Sequence, residues 1–131
     1  TESALIEDHE GAQATLMALR SRGVRVAMDD FGTGYSSLAY LRRFTLDKLK
    51  IDGMFVRSLD SDADAQAVVM AIISLARALR LETTAEGIET PGQLMMLKAL
   101  GCDDVQGYLI ARPMPASEVP AYLSKVQAVT V

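Results

Sequence analysis

The chain has 131 residues, half of them apolar, so it has the size of one ordinary domain with a buried core and is not a disordered chain. Its formal net charge of −4 and its scattered basic residues exclude broad, sequence-independent binding of nucleic-acid polymers. The single cysteine, Cys102, excludes an internal disulfide, and no apolar run is long enough to span a bilayer, so we expect a cytoplasmic segment without membrane contact. Any membrane anchor of a longer protein would lie in another domain.

The first third of the chain predicts a helix, a strand and a loop that carries two adjacent aspartates. The helix is indicated by apolar residues at helical spacing and a glycine stop, namely Ala12, Leu16, Leu19 and Gly23. A strand is predicted over residues 24–28, and it delivers Asp29 and Asp30 into a small-residue loop over residues 31–37. A short helix is predicted over residues 37–41. Adjacent aspartates often just open a turn, so this stretch alone leaves a structural and a functional interpretation open.

The middle of the chain predicts a second strand and a long helix. In the strand, over residues 47–52, period-two alternation places Lys48, Lys50 and Asp52 on one face and apolar residues on the other. The helix starts among three aspartates, which suit the positive end of its dipole. Its apolar stripe consists of Ala65, Val68, Val69, Ile72, Leu75, Ala76 and Leu79.

The last part of the chain predicts two more strands and two more helices. The strands cover residues 81–86 and 102–106. The helix between them has a cap, a first-turn proline and a capping-box glutamine at residues 90–93, and it ends at Gly101. The last helix begins at Ser117. Strands that alternate with helices predict an α/β fold with a parallel sheet.

Polar residues follow each predicted strand at its C-terminal end. They are Asp29 with Asp30, Lys50, Glu86 and Gln106, spaced by one βα unit each. The C-terminal ends of parallel strands meet at one edge of the sheet, where α/β proteins place their active sites. Packing alone explains such a series poorly, because Lys and Glu are seldom buried without partners. Two interpretations stay open: a chemical site, or a lattice of ion pairs that ties the strand ends together.

Other residue types give little sign of chemistry. His9 is the only histidine, which argues against a histidine-rich zinc site and a histidine-based triad, and we expect it on a solvated helix face. Cys102 is expected to pack as a small apolar residue, and the seven methionines are expected to fill gaps in the core. The glycines at positions 32 and 34 form neither a dinucleotide fingerprint nor a P-loop.

Four segments, in the right order and spacing, closely resemble the EAL-domain family of cyclic di-GMP phosphodiesterases: DDFGTGYSSLAYLRR, LKIDGMFV, AEGIET and QGYLIARPMP. The resemblance extends from Thr1 to about Leu123. It implies a modified, TIM-like (β/α)8 barrel that hydrolyses cyclic di-GMP to linear pGpG in bacterial second-messenger signalling. It also implies Mg²⁺ or Mn²⁺ as cofactor, with two ions in the complete domain, and oxygen-rich side chains suit both ions.

The resemblance implies roles for individual residues. Asp29 and Asp30 match the family's metal-binding aspartates, with Asp30 able to serve two ions. Lys50 matches the lysine that contacts the nucleophilic water or the phosphate, and Glu86 matches the active-site glutamate. Gln106 matches a glutamine near the metal-bound water.

Two further glutamates match supporting residues of the family. Glu89 matches a companion of the active-site glutamate that supports a loop or reaches the metal. Glu2 matches a glutamate that holds the loop over residues 31–37 in place. The family links this loop to dimerisation and to signalling into the site. We also expect a homodimer or another form of self-association, because half a barrel would expose strand edges and an apolar face that the other half should cover.

The chain departs from the family pattern at its start. The Glu-Ala-Leu motif, a metal-binding asparagine and a further loop-holding glutamate are absent, and all of them belong upstream of Thr1. A (β/α)8 barrel takes about 250 residues, whereas about four βα units are predicted here. We therefore expect residues 1–131 to be the C-terminal half of one EAL domain, inactive without the N-terminal part of the barrel. For the complete domain two hypotheses stay open: an active phosphodiesterase, or a degenerate module that binds cyclic di-GMP or a protein partner.

Overall fold

The computed structural model describes residues 9–33, 41 and 44–127. Glu2 and most of the helix predicted over residues 37–41 lie outside these ranges. None of the helices within them has the length and apolar character of a membrane span. The elements are α1 (His9–Arg20), β1 (Ala27–Phe31), β2 (Lys48–Ile51), α2 (Gly53–Val56), α3 (Ala63–Ala78), β3 (Glu82–Ala85), α4 (Pro91–Leu100), β4 (Asp104–Val105) and α5 (Val119–Gln127).

The four strands form one parallel sheet in the order β1-β2-β3-β4, which is also their order along the chain. In the register, Lys48 pairs with Glu82 and Lys50 pairs with Thr84. Helices α3 and α4 return the chain from β2 to β3 and from β3 to β4, as parallel pairing requires. All strands therefore end at one edge of the sheet, the C-terminal edge, and begin at the opposite N-terminal edge.

The core lies between one face of the sheet and the helices. Strand β2 buries Leu49 and Ile51 completely, while its two lysines are only partly buried. Each fully buried side chain of this size contributes about 1.5–3 kcal/mol, so the alternation fixes which face packs against the helices. The other face, called the open face, carries the lysines. Helix α3 packs against β2 and β3, and its buried residues are Val69, Ile72, Ile73 and Ala76.

The helix ends follow the sequence signals. The Asp62 side chain caps α3 by accepting a hydrogen bond from the Asp64 N–H. Thr90 and Gln93 form the predicted capping box of α4, and Gly101 ends that helix with a left-handed φ of 79°. The predicted capping box and the predicted end at Gly101 are confirmed, whereas the cap by Asp62 was not predicted.

Strand β1 lies further along the chain than predicted. It begins at Ala27 and contains both aspartates, instead of covering residues 24–28 and ending before them. The side chain of Asp47 explains the late start, because it accepts a 2.7 Å hydrogen bond from the Val26 N–H and a 2.8 Å hydrogen bond from Arg20 Nη2. The Asp47 side chain thus takes the Val26 N–H, while the Val26 carbonyl accepts from the backbone N–H groups of Asp47 and Lys48, and the regular pairing starts at Ala27.

The shorter elements also differ from the predictions. Strand β4 has two residues where the sequence predicted a strand over residues 102–106. Helix α2 is not among the predicted elements, although its N-cap carries a typical signal: Asp52 Oδ1 accepts a 2.7 Å hydrogen bond from the Met54 N–H. The last helix begins at Val119 instead of Ser117.

Four of the seven methionines lie at the surface. Met17, Met54, Met70 and Met95 are between 53% and 69% exposed, so the prediction that the methionines fill core gaps is wrong for these four. Met28 is buried, as predicted. Each of the four belongs to a helix, where the side of the helix on which a residue falls decides its burial.

Cys102 packs against the core from a partly buried position, as predicted. Its Sγ donates a hydrogen bond to the Asp104 carbonyl at 3.2 Å. Burial raises the pKa of the thiol, so it stays protonated at neutral pH and is a poor nucleophile.

Candidate functional site

Three charged side chains meet at the C-terminal edge of the sheet. Lys50, on the open face of β2, donates one hydrogen bond from Nζ to Asp29 Oδ1 at 2.7 Å and another to Glu86 Oε1. Glu86 directly follows β3, and its backbone N–H donates to the Ile51 carbonyl, which fixes it beside β2. The structure thus brings together three of the residues that the sequence singled out on three different strands.

Asp30 joins these residues through an uncommon backbone conformation. Neighbouring residues of a regular strand point to opposite faces. Here the register of β1 is irregular between Met28 and Phe31, and Asp30 has a φ of 56°, in the left-handed region. One carboxylate oxygen from each of Asp29, Asp30 and Glu86 consequently lies within 4.8 Å of the others. A left-handed residue other than glycine costs about 1–2 kcal/mol, and such strain is typical of functional sites.

The charges of this site cluster, which comprises Asp29, Asp30, Lys50 and Glu86, do not cancel. Three carboxylates and one ammonium leave a formal charge of −2. The hydrogen bond from Lys50 holds the pKa of Asp29 below its usual range, against the opposing effect of burial. Burial lowers the pKa of Lys50, but its hydrogen bonds to Asp29 and Glu86 outweigh that effect and the pKa is raised. Both groups are therefore ionised at neutral pH, and the excess negative charge attracts a cation.

A second charged group, the N-terminal cluster, lies at the opposite edge of the sheet. Lys48 Nζ pairs with Asp104 and, at 3.5 Å, with Glu82, and Arg25 Nη2 pairs with Glu82 at 2.6 Å. Two cations and two carboxylates cancel, and most of these side chains are well exposed, so the pairs add little to stability. The ion pairs that the sequence left open at the C-terminal strand ends do occur, between Lys50 and both Asp29 and Glu86. They do not account for the excess of carboxylates in the site cluster, whereas the charges of the N-terminal cluster are balanced.

The donor set of the site cluster fits a hard divalent cation. Mg²⁺ and Mn²⁺ prefer oxygen ligands, and Asp29, Asp30 and Glu86 offer three carboxylate oxygens close enough to share an ion. Octahedral coordination takes about six ligands, so water or residues beyond the described ranges would complete the shell. Within those ranges, this is the only group of three or more His, Cys, Asp or Glu residues with such spacing.

Gln106 and Glu89 lie beside the site cluster on neighbouring loops. The Gln106 N–H donates to the Ala85 carbonyl, and its carbonyl accepts from the Ile88 N–H, which ties the loop after β4 to the loop after β3. Glu89 does not belong to the group of three carboxylates. A cleft of about 260 Å³, called the loop cleft, is lined by Glu86, Gly87, Glu89, Gln106, Gly107 and Tyr108.

Gly107 is a site-forming residue that the sequence interpretation missed. A Cβ added at this position would lie 2.2 Å from both the nitrogen and the oxygen of Ile88. Only glycine therefore lets the loop after β4 approach the loop that begins with Glu86. The available signal was a glycine directly behind the last predicted strand, since glycine in such places often marks a close backbone approach.

We expect Gly107→Ala to cost about 3 kcal/mol or more of the free energy of unfolding, because the clash is with backbone atoms that cannot rotate away. Gly23→Ala is the matched control. Gly23 has a φ of 81° but no atom within 4 Å of an added Cβ, so only a backbone cost of about 1–2 kcal/mol applies. Urea unfolding of both variants measures the difference, and equal losses would contradict the close contact at Gly107.

Comparison with known proteins relates these features to one family. The sequence profile of the EAL domain matches residues 1–113. The bifunctional diguanylate cyclase/cyclic di-GMP phosphodiesterase MucR of Pseudomonas aeruginosa is 46% identical over 121 residues, which are 92% of this chain and 18% of MucR. The EAL domain of Mycobacterium smegmatis DcpA superposes with a TM-score of 0.88 at 43% identity, covering 95% of this chain and 56% of that structure.

A structure with bound ligands is also similar. The complex of Klebsiella pneumoniae BlrP1 with manganese and cyclic di-GMP superposes with a TM-score of 0.77 at 37% identity, covering 83% of this chain and 28% of that chain. The chain therefore spans about half of the solved DcpA domain and about a fifth of MucR. Solved EAL domains have the TIM-barrel fold, so the prediction of half a (β/α)8 barrel, with four parallel strands and flanking helices, is confirmed.

Proposed function

Because this chain belongs to the EAL domain family, we propose that it forms part of a metal-dependent phosphodiesterase that hydrolyses cyclic di-GMP to linear pGpG in bacterial second-messenger signalling. The observation that carries this proposal is the site cluster, in which three carboxylates surround one lysine at the C-terminal edge of a parallel sheet. The activity for which MucR is named and the ligands of the BlrP1 complex support the choice of substrate and cofactor.

In this proposal the carboxylates hold the metal. Asp29 and Asp30 bind Mg²⁺ or Mn²⁺, Asp30 contributes to both of two ions, and Glu86 supplies a third carboxylate oxygen. When bound, such ions lower the pKa of a water molecule and stabilise the attacking and leaving oxygens of the phosphodiester. The left-handed backbone at Asp30 matters because it turns this carboxylate toward the same side as Asp29.

Lys50 is the proposed catalytic lysine. An ammonium group has three N–H donors, and two of them are engaged by Asp29 and Glu86. The third has no acceptor among the described residues and is proposed to donate to a phosphate oxygen or to the attacking water, while the charge offsets the negative charge that develops on the phosphate. Glu86 therefore has two tasks, since it orients Lys50 and also offers an oxygen to the metal.

The remaining polar residues have proposed supporting roles. Gln106 is exposed beside Glu86, and its amide is proposed to bind substrate or the metal-bound water. Glu89 and Glu2 are proposed to support the loops around the site, Glu2 through the loop over residues 31–37.

Glu2→Ala in the complete domain is expected to lower the metal affinity without removing a metal ligand, because Glu2 is proposed to hold the loop that follows Asp30. Metal titrations of the variant and the wild type that superimpose would contradict this role.

We propose that residues 1–131 work together with an N-terminal part of the same barrel, in the cytoplasm. We also propose that the 131-residue chain alone, without that part, self-associates as a homodimer or in another form. The four-stranded sheet supports both proposals, because β1 and β4 each keep one edge without a neighbouring strand among the described residues. Unpaired strand edges readily pair with other segments or chains. Light scattering of the 131-residue chain tests the association, and a monomer at high concentration would contradict it.

The complete domain is expected to hydrolyse cyclic di-GMP with Mg²⁺ or Mn²⁺ and to do so poorly with Ca²⁺. Calcium binds oxygen ligands at longer distances and with looser geometry, so it mispositions the attacking water. Production of pGpG, followed by chromatography with each ion, measures the activity, and a sample treated with chelator is the control. A domain that binds cyclic di-GMP without hydrolysing it under any of these conditions would be the degenerate binding module instead.

A further inference from the structure

Gln93 is a polar side chain that the fold buries almost completely, with 3% of its surface exposed. Its Oε1 accepts two hydrogen bonds, from the Glu89 N–H at 2.8 Å and from the Thr90 N–H at 3.0 Å. Its Nε2 donates to the Arg57 carbonyl at 3.2 Å, 36 residues earlier in the chain. This one amide therefore joins the segment that follows β3 to the segment that follows β2.

The capping box of α4 explains only part of these contacts. In a capping box the side chain three residues after the cap accepts from the N-cap N–H, and glutamate does this as well as glutamine. Thr90 completes the box by accepting a 3.1 Å hydrogen bond from the Gln93 N–H. The Arg57 carbonyl needs a donor, however, which the amide of glutamine provides and an ionised glutamate does not. Glutamine at this position thus suits a link between two segments as well as a helix cap.

The two joined segments carry the lysine and the glutamate of the site cluster. One segment covers residues 50–57, from Lys50 to the C-cap of α2, and the other covers residues 86–93 and begins with Glu86. The ion pair between Lys50 and Glu86 extends from one segment to the other. The spacing of the segments therefore also sets the position of the Glu86 carboxylate relative to the Lys50 ammonium group.

Contacts at three levels hold the segments together. At the first, the Glu86 N–H donates to the Ile51 carbonyl at 3.1 Å. At the second, two glycines meet, and a Cβ added at Gly87 would lie 3.2 Å from the Cα of Gly53. At the third, furthest from the strands, the Gln93 amide makes the link. The first two contacts belong to the backbone, so the third is the one that a side-chain substitution removes.

We propose that Gln93 is a positioning residue for the site cluster, because it joins the two segments and so holds the Glu86 carboxylate where it orients Lys50 and reaches the metal. The inference rests on the proposed function, in which Glu86 has both tasks. The hydrogen bonds of the Gln93 side chain go to backbone groups outside the site cluster. Gln93 therefore acts through the placement of the loop and makes no contact with the reacting atoms.

The first test is Gln93→Met in the complete domain. Methionine is also unbranched and of similar length, but it neither accepts from the loop nor donates to the Arg57 carbonyl. We expect kcat for cyclic di-GMP at saturating Mn²⁺ to fall about 10-fold, the lower end of the range for residues that orient metal ligands. KM should stay close to the wild-type value, because no group that binds the substrate is removed.

Thr90→Val is the matched control. It removes the other half of the capping box and the 2.9 Å hydrogen bond from the Thr90 hydroxyl to Asp60, but it leaves the Gln93 side chain in place. Valine suits the extended backbone of this position. Both variants should have a lower Tm, whereas Thr90→Val should keep the wild-type kcat. Equal losses of kcat in the two variants, or a wild-type kcat in Gln93→Met, would overturn the proposal and leave Gln93 as a helix cap.

Hydrogen exchange of the Glu86 amide, followed by NMR on the metal-free complete domain, separates this proposal from the proposed function. The Glu86 N–H bonds to the Ile51 carbonyl across the two segments, so its exchange measures how often they part. Gln93→Met should speed this exchange about 5- to 30-fold, and Thr90→Val should leave it unchanged. A wild-type domain without hydrolysis would end the phosphodiesterase assignment, while faster exchange in Gln93→Met alone would still support the link. Exchange at the wild-type rate in Gln93→Met would overturn it.

Discussion

Lys50→Met in the complete domain is expected to lower kcat for cyclic di-GMP by about 100- to 1,000-fold, the usual cost of removing one electrostatic group aimed at the transition state. Methionine is also an unbranched side chain but removes the ammonium. Among the residues that the structure describes, Lys50 is the cation that hydrogen-bonds both Asp29 and Glu86. Its loss removes the third N–H donor from the phosphate and leaves the carboxylates without their positive partner.

Lys48→Met is the matched control for this prediction. Lys48 precedes Lys50 by two residues on the same open face, but it pairs with Glu82 and Asp104 in the N-terminal cluster. We expect a rate of pGpG formation close to wild type and only a small loss of stability, because both carboxylate partners of Lys48 are well exposed to solvent. Equal losses of activity in the two variants would assign the effect to damage of the sheet, and a wild-type rate in Lys50→Met would exclude a catalytic role.

The two lysines show what the sequence alone establishes. Period-two alternation placed Lys48 and Lys50 on one face, and the structure agrees, since Leu49 and Ile51 are buried on the other. The apolar runs in the sequence also placed Asp29, Lys50 and Glu86 near the C-terminal ends of neighbouring strands, which meet at the C-terminal edge of the sheet. Alternation does not tell the two lysines apart, however, because their partners come from β1, β3 and β4, and such pairing depends on contacts distant in sequence.

The features that the sequence did not predict also depend on contacts between residues that are distant in the chain. The start of β1 depends on the Asp47 side chain, which binds the Val26 N–H from 21 residues away. The close approach at Gly107 depends on the backbone of Ile88, on a different loop. Nothing in the adjacent aspartates indicates that Asp30 takes a left-handed conformation, since that conformation goes with an irregular register between β1 and β2.

Both charged clusters lie along the same sheet, and their balance of charge differs. The N-terminal cluster is neutral without any further ion. The site cluster has a formal charge of −2 and includes a residue in a strained conformation, so a bound cation would offset an excess of negative charge there. A ligand that binds only the folded state raises stability by mass action, so a divalent cation should stabilise the domain through the site cluster alone.

Asp30→Asn is therefore expected to lower the affinity of the complete domain for Mn²⁺ by about 100-fold or more and to abolish hydrolysis at Mn²⁺ concentrations that saturate the wild type. Changes in residues that merely orient a metal ligand cost about 10- to 100-fold in affinity, so loss of a charged ligand should exceed that range. Asparagine is the informative substitution because it tolerates the left-handed φ of 56° at this position, whereas alanine would add backbone strain.

Calorimetric titration with Mn²⁺ and the shift of Tm on adding Mn²⁺ measure this effect together. Asp104→Asn makes the same change of charge in the N-terminal cluster, so it should keep the wild-type affinity and the Mn²⁺-induced rise in Tm. Asp30→Asn should lose that rise while unfolding at a temperature close to that of the metal-free wild type. Equal Mn²⁺ affinities in Asp30→Asn and wild type would show that the metal binds elsewhere, because the three carboxylate oxygens within 4.8 Å of one another would then not form the site.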